Sequence, residues 1–255
     1  MSAVHLQISG AVAEVRLDNP AKLNAFSVEM LGQLASHLDT IEHNPGIACV
    51  LLTATEGRAF CSGADIEGWA DLTPADFARH WVRGGHRIFD RLARLAQPTI
   101  AVLHAHAFGG GLELAAACDI RVMAPRATIA LPEAGLGIVP GWSGTQRLAR
   151  LLPESALKEM ALFGRRIGAE RCLALGFAAE VADDPRSLAD AMAAQVCTLS
   201  PRAIEASKAM IHAAVAEDRG AMIEALGSAA IGASADRAEG VSAFRDKRKP
   251  AFPGT

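Results

Sequence analysis

The residues best placed to do chemistry are two glutamates and a run of glycines. In His106-Ala-Phe-Gly-Gly-Gly-Leu-Glu-Leu-Ala-Ala-Ala-Cys-Asp119, Gly109, Gly110 and Gly111 separate a strand-like run (Thr99–Leu103) from a helix-like run that carries Glu113 in its first turn. Backbone N–H groups at a helix start lack an acceptor one turn back and point outward, and glycine lets a ligand approach them closely. Such a place suits a negative oxygen. Glu133 follows in Leu-Pro-Glu-Ala-Gly-Leu-Gly, a setting too apolar for a solvated charged face. Two carboxyls beside an anion-binding loop can move protons next to a carbonyl.

Three better-known glycine motifs do not fit. A dinucleotide fingerprint requires G-x-G-x-x-G or a closing alanine, and the sixth position after Gly109 and Gly111 is Leu114. The Gly-Lys-Ser/Thr of a P-loop is absent. Gly141-Trp-Ser-Gly-Thr145 supplies only the first half of the G-x-S-x-G elbow of serine hydrolases. Taken alone, the triplet is equally compatible with glycines that simply let a helix pack on a strand.

The elements that must position these residues follow from periodicity. Residues 4–8 and 11–17 alternate as a first strand pair, closed by Pro20. Ser27 is placed to cap a helix whose apolar positions Val28, Leu31, Leu34, Leu38 and Ile41 recur at helical spacing until Asn44-Pro45. Ile47-Ala-Cys-Val-Leu-Leu-Thr53 is then a continuous apolar run of strand length, the mark of a strand covered on both faces. A second unit comprises Thr99–Leu103, a helix over 110–117 and Ile120–Met123; a strand over 128–131 and a helix over 144–152 continue the pattern. This is α/β architecture built from successive ββα-like turns.

Beyond residue 153 the spacing predicts helices alone: 154–163, 169–175 stopped by Gly176, one opened by Ser200-Pro201 and running to Val215, and two more over 220–231 and Ala235–Arg245. Their Ala-, Met- and Ile-rich faces fit an oligomer interface or cap better than a second catalytic domain.

Composition bounds the rest. A chain of 255 residues, 51% hydrophobic, suffices for one large domain or a domain with an appendage. Its net charge of −3 argues against nucleic acid as the main partner. The one dense basic run, Arg245-Asp-Lys-Arg-Lys249, reads on charge alone as a solvated tail. Five scattered cysteines, never spaced as C-x-x-C, fit a reducing compartment and neither disulfides nor zinc. With no signal-peptide pattern at the N-terminus and no apolar run of ~20 residues, a soluble protein of the cytoplasm, without a membrane partner, is expected. His104 and His106 lack a third ligand and read as core or loop histidines. Cys61 has no base at a matching position and reads as a small buried filler.

The motifs together resemble a known family. Asp18-Asn-Pro-Ala-Lys-Leu-Asn-Ala25, Ala59-Phe-Cys-Ser-Gly-Ala-Asp-Ile66, the glycine run with Cys118-Asp119, Pro132-Glu133, Pro140-Gly-Trp-Ser-Gly-Thr-Gln-Arg147 and Phe244-Arg-Asp-Lys-Arg-Lys-Pro-Ala-Phe252 follow, in order, the pattern of the enoyl-CoA hydratase/isomerase (crotonase) superfamily. The resemblance spans the whole chain and implies a crotonase-like fold. That is a spiral of ββα units over residues 1–195, carrying the active site, followed by a C-terminal helical region over 196–255 for trimerisation and CoA contacts. It also implies a homotrimer or dimer of trimers, an acyl-CoA thioester as substrate, and no separate cofactor or metal.

The same resemblance assigns roles by motif position. The backbone N–H groups of Ala64 and Gly110 correspond to the oxyanion hole for the thioester oxygen. Glu113 and Glu133 correspond to the two catalytic glutamates of hydratases, which hold one water between them. Gly141 corresponds to a glycine that lets backbone approach that water or the substrate. Ala25, Ala59, Ser62, Asp65, Ile66 and Gly109 fall in the motifs that border the bound ester. Lys22 corresponds to a residue beside the pantetheine and adenine end, and reads equally well as a solvent-facing lysine; Lys247 corresponds to one that reaches the ADP phosphates. Phe244 would line the acyl or adenine side, whereas Ser228, Ala229 and Ala230 stand where relatives often carry aromatics. The stretch 69–86, with Trp69, Phe77 and Trp81, matches the family's variable lid-like region and could shape the acyl pocket or serve ordinary helix packing. Both glutamates tilt the expectation toward hydration of a trans-2-enoyl-CoA. Double-bond isomerisation, another acyl-CoA lyase or decarboxylase reaction, and non-catalytic acyl-CoA binding stay open.

Overall fold

The computed structural model describes residues 2–215, 217, 227 and 232–255. These fall into two compact units, Met1–Pro201 and Arg202–Thr255. The first opens with the expected hairpin: β1 (Ala3–Ser9) pairs antiparallel with β2 (Val12–Asp18) around Gly10, which sits at φ +59°. Helix α1 (Val28–Glu42) starts at Ser27, whose hydroxyl accepts the Met30 N–H at 3.2 Å. Its spaced apolar positions Leu31, Leu34, Leu38 and Ile41 are buried, as helical periodicity requires.

Strand β3 (Cys49–Ala54) is buried at every position, because it lies inside a parallel sheet covered on both sides. That sheet has the order β1-β2-β3-β5-β7-β10, with β5 (Thr99–Leu103), β7 (Ile120–Met123) and β10 (Glu180–Val181). A smaller sheet has the order β4-β6-β8-β9, built from Ala59–Cys61, His106–Phe108, Thr128–Ala130 and Ile167–Gly168. Its strands β4, β6 and β8 are parallel, so their C-terminal ends lie at one edge. Those ends lead into Ser62-Gly63-Ala64, Gly109-Gly110 and Pro132-Glu133 in turn. The topology thus brings together motifs that lie far apart in the chain.

Between β4 and β5, α2 (Pro74–Asp76) runs through a π-helical turn (Phe77–Val82) into α3 (Arg83–Ala93). Helix α4 (Gly110–Ala116) follows the glycine run, and α5 (Gly144–Leu151) follows the Gly-Trp-Ser-Gly loop. Helices α6 (Glu154–Ala161), α7 (Ala169–Ala174) and α8 (Pro185–Val196) complete the unit. Two expectations need correction here. The part after residue 153 is not purely helical, since β9 and β10 each add a strand to an existing sheet edge. Helix α8, capped by the Asp184 carboxylate on the Ser187 N–H, was not foreseen.

The second unit contains α9 (Pro201–Ala214), which begins at the preceding unit's last residue, and a terminal helix (Ala235–Arg245) capped by Ser234. Apart from Gly227, the helix expected over 220–231, with Ser228, Ala229 and Ala230, lies outside the described residues. No described helix is long and apolar enough to cross a membrane.

Candidate active site

A cavity of about 220 Å³ opens at the C-terminal edge of the small sheet. Gly63, Ala64, Gly109, Gly110, Glu113, Glu133 and Gly141 all line it. Two backbone segments meet at its floor. Gly63, at φ +113°, lies so close to the glycine run that a Cβ there would stand 3.3 Å from the Phe108 carbonyl and 3.4 Å from the Gly110 nitrogen. Only glycine combines that dihedral with that approach.

The Ala64 and Gly110 amides come together at this crossing. A Cβ on Gly110 would stand 3.5 Å from the Ala64 nitrogen. The bridge to the neighbouring segment uses the Phe26 N–H on the Gly63 carbonyl and the Asp65 N–H on the Phe26 carbonyl, both 2.8 Å, and so skips the Ala64 N–H. Gly110 opens α4, so its N–H has no acceptor one turn back. The pair can therefore donate to one oxygen brought into the cavity. Asn19 and Asn24 hold this floor from beneath. The Asn24 side-chain amide donates to the Thr55 and Ala59 carbonyls, and the Ser62 N–H donates to the Leu23 carbonyl, which ties the 18–25 motif to the 59–66 motif.

Both glutamates are buried, at 3% and 7% exposure. Glu113 is held by its Oε1, which accepts the Trp142 and Gly144 N–H groups, each at 2.8 Å. Burial pushes its carboxyl up to about 7; the two amides and Arg147 pull it down, and the Glu133 charge adds to the rise. Glu133 opens a 3-10 turn (Glu133–Leu136), and burial raises its carboxyl too. Its Oε2 is buried with no hydrogen-bond partner among the described residues. Glycine makes room for each acid. A Cβ on Gly109 (φ +50°) would meet Glu133 Oε1 at 2.8 Å, and one on Gly144 would meet Glu113 Oε1 at 2.7 Å.

The walls are apolar and largely aromatic. Trp69, Phe77, Trp81 and Trp142 line the cavity, with Trp69 packed at a tilt against Phe77 (5.3 Å between centroids) and Trp81 likewise against Trp142 (5.2 Å). The stretch 69–86 thus forms the pocket wall and packs helix on core at once. Sequence reasoning missed Trp142. Its N–H grips Glu113, its indole N–H donates to the Trp81 carbonyl at 3.2 Å, and its ring fills the space a Gly110 side chain would need. The segment reads as a failed hydrolase elbow and as a family motif in which Gly141 carries the role, and neither reading points to the tryptophan beside it.

The remaining expected residues are placed as follows. Ser62, Ile66 and Gly109 line the cavity; Ala25 and Ala59 are buried and are not part of its lining. Lys22 is exposed and paired with Asp65 at 2.8 Å and with Glu67. Phe244, 85% exposed, and Lys247, at φ +54°, belong to the second unit. Cys61 is fully enclosed with its thiol raised to about 12 by burial, which suits the filler role. His106 bonds the Thr128 hydroxyl at 3.0 Å, and no group of three or more metal-ligating side chains occurs among the described residues.

Comparison with known proteins decides the lineage. The sequence matches the family described as enoyl-CoA hydratase/isomerase over residues 7–255. The chain belongs to that family. A "Probable enoyl-CoA hydratase" of Bacillus subtilis (strain 168) is 35% identical to it over 100% of both chains. The "Short-chain-enoyl-CoA hydratase" of Clostridium acetobutylicum is 31% identical, covering 98% of this chain and 97% of that one. Among solved structures, an enoyl-CoA hydratase from Bacillus anthracis superimposes with a TM-score of 0.80 at 31% identity, covering 99% of each chain. This enoyl-CoA hydratase/isomerase family member therefore carries a crotonase-type α/β fold, with the cavity described above at the parallel strand ends.

Proposed function

We propose that the protein is an enoyl-CoA hydratase, adding water across the 2,3 double bond of a trans-2-enoyl-CoA to give the 3-hydroxyacyl-CoA. One observation carries this reading: two buried carboxyls, each given room by a glycine, open onto the same cavity as two amides free to donate to an oxygen.

In this reading the thioester oxygen accepts the Ala64 and Gly110 N–H groups. As a water oxygen bonds to C3, the double-bond electrons move onto the thioester oxygen, and the amides stabilise the resulting enolate; losing one such donor costs about 3 to 4 kcal/mol. Glu113, fixed through Oε1, takes the water proton on its other oxygen. Glu133 delivers a proton to C2 as the enolate collapses, and solvent resets the pair. The aromatic walls exclude bulk water, which strengthens every charge interaction inside. Lys22 is proposed to border the pantetheine and adenine end of a CoA ester, and Lys247 to reach ADP phosphates, as the family resemblance implies. A homotrimer or dimer of trimers, assembled through residues 196–255, and a cytoplasmic site of action complete the proposal.

Hydration of crotonyl-CoA, followed as loss of the conjugated thioester's absorbance, is expected in the wild type and lost in Glu133→Gln. No turnover across short, medium, long and aromatic enoyl-CoA esters would overturn it. Double-bond migration that survives Glu113→Ala, without hydration, would assign the isomerase reaction instead.

A further inference from the structure

The oxygen of Glu113 is gripped by amides two residues apart, and the residue between them is not glycine. Ser143 sits at φ +78°, ψ 17°, in the left-handed region, which turns the Trp142 and Gly144 N–H groups toward a single point. Such alternation builds a concave anion nest. Glycine adopts this conformation freely, while other residues store strain there. A serine in that place calls for a use of its hydroxyl.

The hydroxyl has one. Ser143 is 5% exposed, and its Oγ lies 3.1 Å from both Nδ1 and Nε2 of His86 on α3, so the hydroxyl bonds the imidazole as a whole and not one nitrogen in line. The His86 ring stands 3.5 Å from Asp90, one turn further along α3, and Asp90 is also paired with the buried Arg147 of α5. The backbone N–H of Arg147, in the first turn of α5, donates to the Ser143 carbonyl at 2.9 Å. Helix α3 continues directly from the π-helical turn that places Trp81 and Val82 in the cavity wall. The link therefore joins the acyl-side wall to the nest around Glu113.

We infer that Ser143 and His86 are positioning residues, whose hydrogen bond holds the 142–144 nest closed on Glu113 and fixes which of its oxygens faces the water. The inference rests on the hydratase reading above. The acid limb of kcat/KM then reports Glu113, the groups acting on it being Glu133, Arg147 and the two amides. Loosening the nest weakens the amide bonds that favour the ionised carboxyl, so the limb moves to higher pH.

The test uses paired variants of the full chain. Ser143→Gly removes the hydroxyl and relieves the strain; Ser143→Ala removes the hydroxyl and keeps the strain. Both are expected to lower kcat about tenfold, with little change in KM, and to raise the acid limb, although their thermal stabilities move in opposite directions. His86→Leu is expected to reproduce the kinetic effect and His86→Gln, which can still bond the hydroxyl, to retain most of the activity. A Ser143→Gly enzyme with wild-type kcat and acid limb, or a silent His86→Leu, would overturn the inference while leaving the hydratase reading intact. An inactive wild type would instead sink that reading.

Discussion

Glu113 and Glu133 are nearly equally buried, yet their surroundings differ in kind. Around Glu113 the chain has spent two backbone donors on one oxygen, a strained serine between them and a glycine beneath. Around Glu133 it has supplied burial and a glycine, and left Oε2 with no partner among the described residues. Burial raises both carboxyls, but hydrogen bonds to the charged form favour ionisation, and only Glu113 has them from two amides. The contrast teaches that donors, rather than depth, divide the labour. Under the proposed hydratase reading, Glu113, held in one orientation by its two amides, would receive a proton, and Glu133 would carry one toward carbon.

The largest expected effect breaks the pair directly. Glu133→Gln and Glu113→Gln should each lower the hydration rate by about 10³-fold, within the range for a lost general acid or base. They should separate on another readout. Solvent deuterium exchange at C2 of a saturated acyl-CoA needs only Glu133, so it is expected to persist in Glu113→Gln and to disappear in Glu133→Gln. Equal loss of exchange in both would dissolve the division of roles.

A smaller effect comes from adding one methyl group beside each acid. Gly109→Ala would press on Glu133 Oε1 and force alanine to φ +50°, while Gly144→Ala would press on Glu113 Oε1 without a left-handed backbone. Displacements on this scale cost up to about 10²-fold in rate, so kcat should fall by about 10²-fold in the first variant and by about tenfold in the second. Steady-state kinetics on crotonyl-CoA decides it, and a reversed order would place the tighter constraint on the other carboxylate.

The contrast between the two acids also marks where sequence reading succeeds. Helix α1 was legible because five apolar residues at helical spacing follow a capping serine, and β3 because an unbroken apolar run has one interpretation in a covered sheet. Glu113, Glu133 and the glycine run were legible as chemistry, since charge in apolar surroundings requires a reason. Strands β9 and β10 were not: two residues each, they are strands only because β8 and β7 offer an edge. Nor was the nest around Glu113, because a left-handed serine looks like any other serine until its neighbours in space are known. Local pattern reveals elements that stabilise themselves, whereas Trp142, Ser143 and His86 take their roles from contacts across α3, α4 and α5.

The last effect is on stability rather than on rate, and its sign follows from the burial of Glu113. A carboxyl whose folded-state value is raised from 4.5 to about 7 contributes stability that is fully present below the lower value and lost as pH rises through the upper one. Glutamine keeps an oxygen for the Trp142 and Gly144 amides but never ionises. The thermal midpoint of Glu113→Gln should therefore match the wild type near pH 4.5, pull ahead between 4.5 and 7, and level off above it. The shift corresponds to on the order of 3 kcal/mol, or roughly 6 to 12 °C for a chain of this size. Glu133→Gln should move in the same direction, since burial raises that group too. Differential scanning calorimetry across this range is the measurement. A midpoint difference independent of pH would mean that Glu113 carries its charge without penalty, and that the amides, not burial, dominate its environment.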